Sequence, residues 1–302
     1  MGKILVVGSL NMDFVINTDK MPVPGETVLG NNFSLSPGGK GANQAYAIGK
    51  IGGEVSMIGA VGNDEYGKKL KENLQSVNVD VTSIEVFENA STGCAFVTVD
   101  KTGENNIIVI QGTNKMITKE TIDKNIDLIK ESDIVLMQLE IPIDVVKHTI
   151  TIAKEYGKTV IVDPAPAQAG VLEEIFNKID FAKPNETELS ILTGMPTNTM
   201  EEIISAARLL NEKGIKNVLV TLGKKGSMIV NKEECTHFEV PQVPIVDTTA
   251  AGDSFIATFA IELANGKTVH DSIKFANKVA NLVVTRKGAQ SSIPTKEEVE
   301  KL

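Results

Sequence analysis

The stretch KILVVGSLNMD, residues 3–13, opens on four consecutive apolar side chains, Ile4 to Val7, and then breaks into small and polar residues. A short unbroken apolar run bounded by turn residues reads as a strand covered on both faces, as in a parallel sheet between helices. The same pattern returns at VSMIGAVG (55–62), DIVLMQ (133–138), TVIVD (159–163) and NVLVTL (217–222). Helical periodicity fills 65–77, 118–131, 142–156 and 199–213 between them. Alternation on this scale predicts an α/β fold with a mainly parallel sheet, helices on both faces, and ligands outside the carboxyl ends of the strands. Asn11 and Asp13 emerge at such an end. An amide that both donates and accepts, beside a carboxylate that accepts from two hydroxyls, suits a polyol; the alternative is a plain turn after a strand.

Two stretches break the alternation. Residues 14–36 contain NNFSLS, and residues 92–110 contain GCAFVTVD and NNIIVIQG, separated by the turn KTGE. Both read as parts of a small antiparallel sheet, too small to stand alone, which either covers the site as a lid or pairs with another subunit. Without repeats, low-complexity segments or a Pro-rich linker, residues 1–302 read as one domain with the lid as an excursion. At 302 residues and 42% apolar content the chain can bury a sizeable core. A net charge of −9 argues against a broad nucleic-acid or membrane surface, so an anionic ligand has to be held locally. Two distant cysteines, Cys94 and Cys235, suit a reducing compartment, carry no metal spacing, and read as inert core or strand residues. No apolar run reaches membrane-spanning length, the N-terminus does not resemble a leader, and Val6 spoils the myristoylation pattern; a cytoplasmic location is expected.

DTTAAGDSF (247–255) runs into the helical pattern IATFAIELANG, which puts Asp253 in the first turn of a long helix. The first N–H groups of a helix lack internal partners and attract anions, and Ala250, Ala251 and Gly252 leave them accessible. In SPGGKGANQAYAIGKIG (36–52), Gly38, Gly39 and Gly41 flank Lys40 ahead of a helix. No Gly lies five positions before Gly39, and Gly41 stands where a Walker loop needs Ser or Thr. The segment is either a close backbone approach to a small ligand, with Lys40 and Asn43 as donors, or a loop capping a helix. Glu140 follows a strand in QLEIP, a position where a lone Glu is ordinarily solvated. Asn185 and Glu188 in KPNETE have the spacing of a capping box, or of groups that hold a hydrated magnesium ion. TLGKKGS (221–227) is a strand-to-strand turn whose glycines and lysines could follow phosphates. His148, His237 and His270 are scattered and read as surface residues, so a proton acceptor is sought among carboxylates.

Taken together, GSLNMD, PGGKGANQA, KPNETE, DTTAAGDSF and TRKGAQSSIP resemble, in order and spacing, the ribokinase branch of the PfkB-type carbohydrate kinases over nearly the whole chain. The resemblance implies a three-layer αβα ribokinase-like fold, with magnesium and ATP as co-substrate and potassium as an activating cation. It makes Asp253 the base toward a sugar's primary hydroxyl and assigns the transferring phosphoryl to the Ala250, Ala251 and Gly252 N–H groups. It places the sugar on Asn11, Met12, Asp13, Gly39, Lys40, Gly41, Ala42, Asn43, Glu140 and Asp253. The nucleotide falls to Asn185, Thr221, Leu222, Gly223, Lys224, Lys225, Gly226, Gly252, Asp253 and Asn277; Asn277 stands where some relatives have His. Glu188 corresponds to the residue that organises magnesium, through water. Asp247, Thr249, Val283, Arg286, Gly288 and Ser292 correspond to the monovalent-cation site. The expected reaction is phosphorylation of the 5-hydroxyl of D-ribose, by a homodimer paired through the lid. Alternatives are another small sugar or nucleoside, such as deoxyribose, fructose or adenosine, or a non-catalytic sensor on the same fold. A dinucleotide-dependent oxidoreductase lacks its G-x-G-x-x-G after the first strand.

Overall fold

The computed structural model describes residues 2–302. Thirteen strands occur among them: β1 (Lys3–Val7), β2 (Asn11–Thr18), β3 (Gly30–Gly38), β4 (Glu54–Gly62), β5 (Ile84–Phe87), β6 (Gly93–Val99), β7 (Asn105–Ile110), β8 (Ile134–Met137), β9 (Thr159–Val162), β10 (Phe181–Ala182), β11 (Asn217–Thr221), β12 (Ser227–Val230) and β13 (Cys235–Phe238). The helices are α1 (Lys40–Ile51), α2 (Glu65–Gln75), α3 (Lys119–Lys124), α4 (Ile126–Glu131), α5 (Ile143–Glu155), α6 (Glu186–Thr193), α7 (Met200–Glu212), α8 (Ala251–Ala264), α9 (Val269–Val283) and α10 (Lys296–Val299). The apolar runs are strands where expected. The periodic segment 118–131 is two short helices that meet at Asn125, whose amide turns back to the Thr121 carbonyl.

Nine strands form the main sheet in the order β13-β12-β11-β10-β9-β8-β1-β4-β5. All neighbours from β11 to β5 are parallel, and only β12 and β13 join antiparallel, as a hairpin edge. The chain grows outward from β1 through β4 to β5, then returns and grows the other way from β8 to β11. That reversal between β1 and β8 opens a crevice at the carboxyl ends of the central strands. Successive β1 side chains serve opposite layers. Ile4 and Val6 join the core beneath α1, α8 and α9, whereas Leu5 and Val7 join the core beneath α5 and α7. Both sets are essentially inaccessible, as expected for a sheet covered on two faces.

The four remaining strands make a second sheet in the order β3-β2-β6-β7. Its two hairpins are antiparallel, and β2 pairs with β6 in parallel. The geometry follows from the main sheet: β2 continues from β1 and β6 follows β5, two strands of the same polarity, so both enter the second sheet running the same way. This sheet begins at Asn11, earlier than residue 14. The segment GSLNMD is therefore a short link into a lid strand rather than a turn after β1, with Ser9 and Leu10 buried in the link.

Candidate functional site

Four of the polar segments singled out in the sequence, PGGKG, KPNETE, TLGKKGS and DTTAAGDSF, line one crevice. The glycines of PGGKG bring α1 against the link after β1. Gly39 has φ 86°, and a Cβ there would stand 2.7 Å from the Asn11 nitrogen. A Cβ on Gly41 would lie 2.6 Å from the Ser9 nitrogen. No side chain fits either gap, so close backbone approach accounts for both glycines. The lone Glu140 is held: its Oε2 accepts from Ser9 Oγ at 2.5 Å and from the Lys40 backbone N–H at 3.0 Å. Asn11 is fixed by a residue that carried no sequence signal, Asn114, whose Nδ2 donates to Asn11 Oδ1 at 2.8 Å and to the Leu10 carbonyl. Asn11 therefore keeps its own amide protons for another partner.

Asp13 shares this end of the crevice. Burial, and then the negative charges of Glu140 and Asp253, push its carboxyl up to about 7. Lys40 answers the cluster. Burial alone would pull its ammonium down, but Asp253, Asp163, Glu140 and Glu188 outweigh that and raise it.

Asp253 sits in the first turn of α8, 7% exposed. The residue before the helix, Ala250, has φ 60°, which turns the chain so that the helix end faces the crevice. The Ala251 N–H donates to the Thr248 carbonyl at 3.2 Å, which corrects the expectation of three free donors. Ala250 and Gly252 have no such bond among the described residues. Both oxygens of Asp253 are held, Oδ2 by Asn43 Nδ2 at 3.1 Å and Oδ1 by Gln44 Nε2 at 3.0 Å. The same Gln44 nitrogen donates to Asp163 Oδ2 at 2.9 Å, and the other Asp163 oxygen faces Lys183 Nζ at 3.0 Å. Lys183 is 4% exposed, and its ammonium would be 3.2 Å from a Cβ on Gly252. Gln44, Asp163 and Lys183 were not foreseen. They are buried polar residues within helix or strand ends, and only their convergence in space distinguishes them.

From this helix end a cavity of about 510 Å³ runs across the ends of β10 and β11. Lys40, Lys183, Asn185, Glu188, Thr221, Gly223, Lys224, Gly226, Asn277 and residues 250–253 line it. Its far end is apolar, with Val243, Ile245, Ala280 and Val284, residues that no motif marked. Asn277 donates to Ser227 Oγ at 3.0 Å, which leaves its carbonyl oxygen for the cavity. Lys225 points along the rim toward Glu186. Asn185 and Glu188 form the reciprocal capping box, each bond 2.8 Å, and both still line the cavity.

Some expected contacts can be made only through backbone. The side chains of Met12, Ala42, Leu222 and Val283 are in the core, because strand alternation and helix faces turn them inward. The Arg286 guanidinium leaves for Glu298, which it holds in a two-pronged pair and lowers to about 2. Only the Arg286 carbonyl is left for a cation. Asp247 joins the two segments of that region, accepting from Thr249 and from the Gly288 N–H at 2.9 Å. Burial opposes its ionisation, but these hydrogen bonds hold its pKa below the usual value. Ser292 is buried and donates to the Ala289 carbonyl. The histidines are partnered surface groups: His148 meets Asp123, His270 meets Glu234, and His237 meets the Lys225 carbonyl. Both cysteines lie on strands, Cys94 half-buried and Cys235 exposed rather than in the core. Among the described residues no cluster of three metal-ligating side chains occurs, and no helix is long and apolar enough to cross a membrane.

The family model for pfkB family carbohydrate kinases matches residues 1–296. A ribokinase from Haemophilus influenzae is 39% identical over 98% of this chain and 96% of its own length. A deoxyribokinase from Salmonella typhi is 38% identical over the same shares. The structure of Arabidopsis thaliana ribokinase complexed with ribose and ATP superposes with a TM-score of 0.93 at 36% identity, covering 99% of this chain and 98% of that one.

Proposed function

This chain belongs to the pfkB family of carbohydrate kinases, and from that membership and the site geometry we propose that it transfers the γ-phosphoryl of ATP to the 5-hydroxyl of D-ribose. It is a phosphotransferase with a sugar hydroxyl as acceptor. The observation that carries the assignment is Asp253: a buried carboxylate, held through both oxygens, in the first turn of a helix whose end opens into a nucleotide-sized cavity. A sensor has no use for a base aimed at that point. Residues 1–302 act as one kinase unit in the cytoplasm, with the second sheet as its lid.

Sugar binds on the side of Asn11, Asp13, Gly39, Lys40, Asn43 and Glu140, and the nucleotide occupies the cavity. Lys40 and Asp253 stand where the two meet. An aspartate is too weak a base to remove an alcohol proton outright, at an ordinary pKa of about 3.9. In a loose phosphoryl-transfer transition state the oxygen needs little negative charge early, so Asp253 orients the hydroxyl and takes its proton late. The transferring group gathers charge at the start of α8, where unpartnered N–H groups, Lys40 and Lys183 oppose it. The apolar slot at Val243, Ile245, Ala280 and Val284 takes the adenine ring, with Asn277 at its edge.

Magnesium fits the polar side of the cavity. It keeps most of its waters and asks for one or two carboxylates besides phosphate oxygens, and Glu188 supplies one next to Asn185. When bound it neutralises phosphate charge. Potassium fits the segment that Asp247 closes, with the Thr249, Val283, Arg286 and Gly288 carbonyls and Ser292 as oxygen donors, and would reinforce the start of α8. The test is ADP release by the wild-type chain against ribose, deoxyribose, fructose and adenosine, with and without potassium. Ribose is expected to give the highest kcat/KM; a preference for deoxyribose would shift the assignment to the second named activity among the relatives. Asp253→Asn is expected to lower kcat by roughly 10²- to 10⁴-fold, the range for a general base, with KM for ATP little changed. An active variant would remove Asp253 from the chemistry.

A further inference from the structure

Gln44 lies at the start of the second turn of α1, is fully buried, and touches neither the cavity nor solvent. A carboxamide in such a place needs partners for two protons and an oxygen. It has them all: the nitrogen donates to Asp253 Oδ1 (3.0 Å) and Asp163 Oδ2 (2.9 Å), and the oxygen accepts from Gln138 Nε2 (2.5 Å). The orientation of the amide is determined, because two carboxylates can only accept. One nitrogen thus connects two buried acids on different elements, Asp253 on α8 and Asp163 after β9. Asn43, its neighbour, holds the other oxygen of Asp253.

We propose that Gln44 is a positioning residue for the phosphoryl transfer: by dividing its two amide protons between Asp253 and Asp163 it sets the plane of the Asp253 carboxylate. The proposal rests on the reading of Asp253 as the base. Asn43 alone restrains the Cβ–Cγ torsion through a single hydrogen bond to one oxygen; the second donor, on the other oxygen, narrows that rotation to one plane. The lone pairs that remain on Asp253 then face the acceptor hydroxyl. The arrangement also separates two negative groups by a neutral donor while Lys183 balances Asp163. The other charged groups that act on this cluster are Lys40, Asp13 and Glu140. A glutamate at position 44 would keep the volume and reverse the chemistry: it has at most one proton for two acids, and none when ionised.

The test compares wild type with Gln44→Met and Gln44→Glu in steady-state ribose kinase assays across pH, and repeats Gln44→Met on an Asp253→Ala background. Gln44→Met is expected to lower kcat about 10- to 100-fold, as for a misplaced reacting group, with both KM values within about threefold of wild type. It should cost nothing further once Asp253 is alanine. Gln44→Glu is expected to shift the acidic limb of the kcat–pH profile to higher pH, because ionisation of a third carboxyl opposes that of its neighbours. Should Gln44→Met not fold, the Gln44→Glu profile decides the matter. An unchanged kcat with a higher sugar KM, an equal loss on the Asp253→Ala background, or an unmoved pH limb would each overturn the proposal. A wild-type chain without sugar kinase activity would instead overturn the assigned reaction, so the two failures are distinguishable.

Discussion

Asp13 is the residue whose chemistry is most exposed to test, because its site acts against its charge. Burial beside Glu140 and Asp253 raises its carboxyl to about 7, above its ordinary value of 3.8. The folded chain therefore holds a proton there between about pH 4 and 7 that the unfolded chain has released. More protons bound in the folded state means that this group's contribution to stability declines as pH rises through that window. Sugar binding has the opposite sign, since hydroxyls donate best to the ionised carboxylate. KM for ribose is expected to fall as pH rises from about 6 to 8, with kcat at saturating sugar less affected. Asp13→Asn should flatten that dependence, raise KM throughout, and increase Tm, as expected when a functional carboxylate is held at a cost to the fold. Calorimetric sugar titrations at several pH values on both proteins would check this, and a slope of the same size in the variant would exclude Asp13 as its source. Single residues of this kind were partly legible. Asp13, Glu140 and Asp253 were found because they follow strands or open a helix, whereas Asn114, Gln44, Asp163 and Lys183 act through partners distant in sequence, which no local pattern reports.

Among the elements, α8 shows best how backbone conformation makes a site. Ala250 adopts φ 60°, a left-handed conformation that disfavours any side chain and a branched one most. The turn aims the Gly252 N–H and the Asp253 carboxylate at a volume that the Lys183 ammonium, coming from the end of β10, borders. Ala250→Gly is expected to fold and retain kcat within about twofold, since glycine adopts this conformation freely. Ala250→Val adds branching at the strained position, by roughly 1–2 kcal/mol, and should lower Tm by about 2–6 °C. It should also lower kcat about 10-fold by shifting the helix end. Thermal melts and initial rates on the two variants check the contrast; a valine variant as active as the glycine one would show that this turn is not what positions the phosphoryl group. The small residues were visible in the sequence as room for an anion. The positive φ was not, because alanine does not advertise it as glycine does, and the Thr248 carbonyl that takes the Ala251 N–H is a consequence of that turn.

At the scale of the molecule, the main sheet was legible as an alternation of strands and helices, and its parallel character followed from the continuous apolar runs. The strand order and the point where the chain reverses were not, since β10 has only two residues and the order, like the β12–β13 edge, is set by long-range pairing rather than by local pattern. The lid was recognised by its period of two, and the same alternation leaves it with unmatched surface. Cross-strand neighbours share a face, which groups Phe14, Phe33, Leu35, Phe96, Ile108 and Ile110 on one side and Val15, Val97, Ile107 and Val109 on the other. Phe14 is occupied, stacking on Phe96 at 4.9 Å and meeting Tyr66 edge-on at 5.4 Å. Phe33, Ile107, Ile108, Val109 and Ile110 are exposed, Ile108 by 67%. Exposed apolar side chains on both faces of the edge strand β7 are what pairing with a second copy would cover. The double variant Ile107→Asp/Ile108→Asp puts one carboxylate on each face without touching the core of the protomer. Light scattering is expected to give a dimer for wild type and half that mass for the variant, with far-UV spectra that coincide. Because the lid bears Asn11 and Asp13, loss of its partner should raise KM for ribose while KM for ATP, bound beyond α8, stays within about twofold. A monomeric wild type at assay concentration would reject pairing through the lid, and a rise in both KM values would mean that the substitutions had disturbed the protomer itself.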